Sequence, residues 1–301
     1  MDTAPSYIRL YEEGLLGEKV EKAYSFLEEC SVCPHNCGIN RLKDEKGFCK
    51  TGLNVRISSF FPHHGEEFPI RGYGGSGTIF ISYCNMRCVY CQNYEISHLG
   101  EGREYTPEEI AGIMLYLQEE RCHNINWVTP SHVVPQLLKA LYIAVKKGLK
   151  IPIVYNTSSY DSPEIIKLLD GIIDIYLPDL KYLNDQHGKK YSKVKDYPDT
   201  AKEVIRLMYK QVGDLKTDER GIAYRGVLVR HLVLPEGIST TKKVLDFLRS
   251  LSPNMHVNIM AQYYPYYKAF EYPELSRRIT ELEYREAVEY ALQIGLKVVN
   301  G

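Results

Sequence analysis

Apolar residues recur at helical spacing at the start of the chain, around Tyr7, Leu10, Leu15, Val20, Tyr24 and Leu27, and predict a helix over residues 1–29. The pattern then breaks. Residues 30–76 hold cysteines, prolines, the paired His63 and His64, and the start of a glycine run at Gly72, Gly74, Gly75 and Gly77. Little of this section is periodic, so it reads as irregular, needing a metal or the rest of the chain to order it. From residue 77 an alternation begins. Short apolar runs at 77–83, 124–128, 151–155, 172–177, 227–234 and 257–261 read as strands. Between and after them, 107–120, 134–147, 163–169, 200–212, 240–251 and 282–292 read as helices. Thr106 and Glu109 form a capping box at the start of the first. Residues 184–198 read as a polar, basic loop and 297–299 as a last short strand. Six strand–helix units imply a parallel sheet with both faces covered. Right-handed crossovers leave two architectures, an open doubly wound sheet or a barrel, whole or partial.

Composition narrows the class without choosing between these. The 301 residues are 44% hydrophobic and 25% charged, enough apolar material for a sizeable core. With 37 basic and 38 acidic residues the net charge is −1, so bulk charge makes no case for nucleic-acid or membrane binding. The first residues lack a basic stretch followed by an apolar run, and no run of apolar residues is long enough to cross a bilayer. A cytoplasmic protein with no membrane partner is the expectation.

Cysteine placement carries the chemistry. Seven of the eight cysteines fall between Cys30 and Cys91. In a reducing compartment such clustering points to metal or redox chemistry rather than disulfides. Residues 83–94 read YCNMRCVYCQNY, with Cys84, Cys88 and Cys91 spaced C-x3-C-x2-C directly after the first predicted strand. Ligands collect at the C-terminal ends of strands in parallel α/β folds. Three close thiolates suit three irons of a cubane and leave the fourth iron open, whereas an electron-transfer cluster normally has all four ligated by protein.

This motif resembles that of the radical S-adenosylmethionine (SAM) superfamily, CxxxCxxC with an aromatic residue, here Tyr90, before the last cysteine. The segments GSGTIFISYCNMRCVYCQNYEIS, WVTPSH, YNTSSYD, IYLPDLKY and MAQYYP, and the upstream CSVCPHNCGINR…GFC, resemble its pyruvate formate-lyase activating-enzyme-related branch. The resemblance implies an α/β fold: a partial (β/α)6 barrel over residues 77–301, preceded over residues 1–76 by the N-terminal helix and a small cysteine-rich metal-binding segment. It implies a site-differentiated [4Fe–4S] cluster on Cys84, Cys88 and Cys91, SAM as cofactor, and an electron donor such as flavodoxin or ferredoxin. The activity implied is an oxidoreductase one, reductive cleavage of SAM followed by hydrogen-atom abstraction from a substrate. Glycyl-radical activation would make that substrate a protein glycine. Two other readings stay open: radical SAM modification of a small molecule or RNA, and a non-catalytic iron–sulfur or zinc protein acting as electron carrier or scaffold.

Candidate contacts lie after successive strands. Thr129 and His132 follow the second, where the superfamily often has a glycine- and glutamate-rich stretch that this chain lacks. Asn156 follows the third, in a short polar run suited to ribose hydroxyls or to capping the next helix. Asp179 and Lys181 follow the fourth and point to one side of an extended segment. Arg230 stands in the apolar strand VLVRHLVLP and needs a buried anionic partner, for which the carboxylate of SAM is a candidate. Gln262 ends the sixth strand, and Tyr263, Tyr264, Tyr266 and Tyr267 follow it as a candidate substrate wall. Upstream, Cys30, Cys33, Cys37 and Cys49 are spaced C-x2-C-x3-C-x11-C, with His35 as an alternative ligand. Four thiolates so placed suit a structural zinc or iron site, or a fully ligated auxiliary cluster. Cys122 precedes a strand and reads as a core thiol.

Overall fold

The computed structural model describes residues 4–299. Two helices open it, α1 (Ser6–Glu12) and α2 (Leu15–Ser25), in place of one over 1–29. Gly14 divides them with a φ of 79°, a left-handed turn that glycine makes at little steric cost. Strand β1 (Val55–His63) crosses the section that read as irregular. Its period is hidden by a register shift between Ile57 and Ser59, by the pair Phe60 and Phe61, and by Pro62. A short helix, α3 (Phe68–Arg71), follows.

The strand–helix alternation expected from residue 77 is present, with two further short strands and a short helix that the sequence did not suggest. It comprises β2 (Ser76–Ile81), β3 (Arg103–Tyr105), α4 (Pro107–Glu119), β4 (Ile125–Val128), α5 (Val134–Lys146), β5 (Ile153–Thr157), α6 (Pro163–Leu168) and β6 (Ile175–Pro178). After these come α7 (Asp185–His187), α8 (Tyr197–Val212), β7 (Lys216–Thr217), β8 (Ala223–Leu232), α9 (Thr241–Leu251), β9 (His256–Met260), α10 (Glu281–Gln293) and β10 (Lys297–Val298). Thr106 and Glu109 form the capping box at α4, and Thr280 and Glu283 form another at α10. The predicted loop 184–198 instead contains α7, a π-turn at Gly188–Ser192 and the first turn of α8.

The sheet order is β10-β9-β8-β6-β5-β4-β2-β1-β3, with β7 paired to β8. Neighbours from β2 through β9 to β10 pair in parallel, while β1 is antiparallel to both β2 and β3. Six successive parallel strands with helical crossovers make the partial (β/α)6 barrel. The strand pleat separates two apolar faces. Ile79, Trp127, Tyr155, Tyr176, Val229 and Val257 face the helices in one core, which also takes in Tyr7, Leu16 and Val20 from the N-terminal helices and Val55 and Ile57 from β1. Val154, Ile175, Leu177 and Leu228 turn the other way and pack round Ile70 of α3. The chain from β1 thus runs back into the barrel and fills its lower interior. Ile70 is fully buried there, a burial worth roughly 2 kcal/mol. Residues on either side of position 76 therefore share one core.

Candidate active site

The cysteine loop leaves β2 at its C-terminal end. Tyr83 adopts a φ of 66°, uncommon for a residue with a side chain, and turns the chain over the barrel mouth. The amide N–H groups of Arg87 and Val89 donate to the carbonyls of Ser192 and Tyr191 in the Gly188–Ser192 turn, at 3.0 and 2.8 Å. The Arg87 guanidinium donates to the carbonyl oxygens of Cys84, Met86 and Phe48. These bonds hold three half-buried thiols side by side. Each sulfur has a polar partner: Cys84 Sγ accepts from Met86 N–H at 3.3 Å, Cys88 Sγ lies 3.0 Å from Ser192 Oγ, and Cys91 Sγ lies 3.1 Å from Ser97 Oγ. Burial pushes the Cys84 thiol up to about 12, and its neighbours Cys88 and Cys91 push in the same direction. A bound cation reverses that balance, because metal coordination favours the thiolate. The donor set therefore fits iron. Tyr90 is buried beside the loop with its ring edge-on to Tyr263.

Four of the predicted contacts converge beside the thiols. Arg230 donates from Nε to Asp179 Oδ1 at 2.9 Å and from Nη2 to Asn156 Oδ1 at 2.6 Å, and Lys181 Nζ donates to Asp179 Oδ2 at 3.0 Å. Strand register explains the meeting, since Asp179 pairs with Arg230 and Val128 with Asn156 across adjacent strands. Burial alone would raise the Asp179 carboxyl, but Lys181 and then Arg230 outweigh it and hold it below the usual range. Burial opposes the Lys181 charge and Asp179 more than restores it, while Lys181 in turn acts to lower the Cys88 thiol. Asp179, Lys181 and Arg230 keep side-chain exposures of 22%, 17% and 17%, so solvent still reaches these charges in their recess.

Glu66 and Glu67 were missed in the sequence. They enter the barrel from the turn before α3. Arg230 Nη1 donates to Glu66 Oε2 at 3.3 Å, Asn126 donates to Glu66 Oε1 at 3.2 Å, and Asn258 donates to Glu67 Oε1 at 2.7 Å. Burial raises the Glu66 carboxyl against the pull of Arg230. The buried anions that Arg230 requires are thus supplied by the chain itself, from Asp179 and Glu66. Nothing periodic marks residues 64–67, and only the unpaired Arg230 signalled that an acid had to be near.

The remaining candidates separate. Thr129 takes a φ of 63°, a strained conformation for a β-branched residue, with its amide bonded to the Asn156 carbonyl at the mouth. His132 turns away from the mouth into the core, where Nε2 lies 3.2 Å from the Ser82 carbonyl, and burial and then Arg41 push its pKa down to about 3. Gln262 is exposed, and its carbonyl accepts from Gln92. Tyr263 is core, its hydroxyl donating to the Leu275 carbonyl, whereas Tyr264, Tyr266 and Tyr267 are half-buried and Tyr267 stacks on Tyr94 at 4.7 Å. Cys122 is buried. The upstream segment packs directly on the cysteine loop: His35 Nε2 lies 2.7 Å from the Asn85 carbonyl, and its ring stacks on Phe48 at 3.8 Å. Burial and then the nearby Cys49, Cys30 and Cys37 together push the Cys33 thiol up to about 12. Among the described residues, no three His, Cys, Asp or Glu side chains are disposed to hold a single metal ion. A cubane does not ask for that, since each of its thiolates binds a separate iron. No helix among the described residues is long and apolar enough to cross a membrane.

Comparison with known proteins agrees with this geometry. The profile of the radical SAM superfamily matches residues 78–218. An uncharacterized protein of Methanocaldococcus jannaschii is 36% identical over 293 residues, covering 95% of this chain and 80% of its own. A radical SAM methyltransferase from Sphaerobacter thermophilus shares the fold with a TM-score of 0.51 at 16% identity, over 74% of this chain and 65% of its own. HydG, a maturase of the [FeFe]-hydrogenase, aligns with a TM-score of 0.51 at 12% identity, over 96% of this chain and 62% of its own. The superfamily implies a [4Fe–4S] cluster and SAM, and cysteines in its spacing stand at the mouth of its partial barrel: the chain belongs to the radical SAM superfamily.

Proposed function

We propose that this radical SAM enzyme holds its cluster through Cys84, Cys88 and Cys91 and abstracts a hydrogen atom from a substrate that enters at the barrel mouth. One observation carries the reading: Lys181, tied to Asp179 and through it to Arg230 and Asn156, lies close enough to Cys88 and Cys91 to act on their thiols. When bound, the cluster and SAM supply an electron and a carbon-centred radical. The chain's own groups do the rest. Ser192, Ser97 and the Met86 amide hydrogen-bond the sulfurs. Arg230, its donors taken up by Asp179, Glu66 and Asn156, positions Asp179 and Asn156, while Lys181 offers a cationic donor to a carboxylate and Asp179 an acceptor to hydroxyls or an ammonium. The aromatic wall of Tyr94, Tyr266 and Tyr267 helps to keep water from the radical. The hydrogen donor we infer is a protein glycine, supported by the segments that resemble pyruvate formate-lyase activating enzymes. A small flavodoxin or ferredoxin would deliver the electron.

The test is direct. The full chain is purified and reconstituted without oxygen, reduced with dithionite and mixed with SAM, and 5′-deoxyadenosine and methionine are assayed. Both products are expected from the parent and neither from Cys88→Ala. Absence of products from the parent, with a reduced-cluster EPR spectrum unmoved by SAM, would leave a non-catalytic metal protein.

A further inference from the structure

The strongest unexplained group lies outside the barrel. Arg41 is 1% exposed, yet no carboxylate pairs with it among the described residues. Its Nε donates to the Gly52 carbonyl at 3.2 Å and its Nη1 to the His132 carbonyl at 2.7 Å; Nη1 also points at Cys30 Sγ, 3.9 Å away, and Nη2 has no partner. A guanidinium does not give up its proton in proteins, and burying one without an anion costs several kcal/mol. The hydrogen-bonded carbonyls are dipoles and leave the charge uncompensated. The anion must come from a neighbour, and among the described residues the group its donors reach that can carry negative charge is the Cys30 sulfur.

Cys30, Cys33 and Cys49 are buried and Cys37 is half-buried. Backbone bonds fold them together: Cys30 N–H donates to Ile39 and Gly38 N–H donates to Cys30, so the chain either side of Cys37 is tied to Cys30. Gly47 passes against Cys37 so closely that a Cβ there would lie 2.9 Å from its sulfur. The glycine thus keeps a side chain off the Cys37 sulfur.

We propose that Cys30, Cys33, Cys37 and Cys49 bind a metal centre as four thiolates and that Arg41 is its buried counter-ion. Because these side chains are not disposed to hold a single ion, the centre is a cubane with one thiolate on each iron; four thiolates around an oxidised cubane leave a net charge of about −2, the sign and place that Arg41 lacks. Because Arg41 also holds the His132 carbonyl, it ties the centre to the turn between β4 and α5 on the active-site side of the barrel.

The experiment uses the full chain carrying Cys84→Ala, Cys88→Ala and Cys91→Ala, so that the radical-site cluster contributes no iron and the outcome is separate from the radical SAM reading. Zinc, iron and acid-labile sulfide are counted per chain after anaerobic purification and again after reconstitution. About four irons with about four sulfides per chain are expected, with loss on adding Cys33→Ala. About one zinc, or about one iron without sulfide, overturns the cubane. Arg41→Met and Arg41→Lys are then compared with this parent for the rate of metal transfer to a chelator. Transfer about tenfold faster from Arg41→Met, and less so from Arg41→Lys, is expected. In a cubane the midpoint potential also moves negative in Arg41→Met, since the lost cation favoured the more negative reduced form. Metal far below one centre per chain in the parent, before and after reconstitution, overturns the site. Unchanged transfer and potential in Arg41→Met overturn the counter-ion. If Arg41→Met does not fold by circular dichroism, Arg41→Lys decides: its weaker fit to the sulfur and carbonyls must still speed transfer.

Discussion

Arg230 stands beside aliphatic residues in β8 at a place where an unpaired charge would be prohibitive, and it is tolerated because Asp179, Glu66 and Asn156 take up its donors. Replacement by methionine removes the cation, takes from Glu66 its guanidinium partner and leaves Asp179 with Lys181 alone. Arg230→Met is expected to lose about 3–5 kcal/mol in denaturant unfolding. Asn156→Ala removes one neutral partner and is expected to lose about 1–2 kcal/mol. Equal losses would mean that charge does not dominate the network. The sequence made this site half legible. Asp179, Lys181 and Arg230 announced themselves as charges at the ends of apolar strands, and the cysteines by their spacing. Glu66 and Glu67 did not, because their approach depends on a chain reversal into the barrel that no local pattern encodes. His132 misled because a polar residue after a strand reads as pointing to the mouth, whereas the turn directs it to Ser82.

Among the elements, the strands from β2 onward and their crossover helices were legible because strands buried on both faces and amphipathic helices leave strong, different periods. β1 was not, since its bulge and Pro62 destroy the alternation, and the Gly188–Ser192 turn was not, since its sequence is polar and its order comes from the cysteine loop. That turn nonetheless contributes Ser192, whose hydroxyl stands between Tyr182 and the Cys88 sulfur. Hydrogen bonds to sulfur help to set a cluster's potential. Ser192→Ala is expected to keep its fold and its iron while the midpoint potential of the radical-site cluster shifts negative in an EPR-monitored redox titration. An unmoved potential would assign Ser192 to packing alone.

For the molecule as a whole, acid is the expected weakness. Burial pushes His132 down to about 3 and His231 and His98 to about 4, below the ordinary histidine value near 6.5. Neutral rings are favoured in the fold, so their contribution is complete above about 6.5 and is lost as pH falls toward 4. Asp174, raised by burial to about 6, runs the other way, because its proton is favoured in the fold and acidification helps it. Burial raises the Asp161 and Glu66 carboxyls as well, and lowers His35, His123 and His256; three carboxyls stand against six histidines, so a net loss of stability is expected between pH 6.5 and 4. Denaturant midpoints across that range check it, and His231→Gln is expected to flatten the slope.

The inward return of the chain after β1 has a practical corollary for anyone who would transplant this catalyst. A shortened protein starting at Ser76 would retain every cysteine of the radical motif and still be hollow: Ile70 would no longer fill the lumen, Arg230 would lose one of its acids, and β2 would offer a bare edge to any passing strand. The leading quarter of the polypeptide is, in engineering terms, the keystone of the arch rather than its porch.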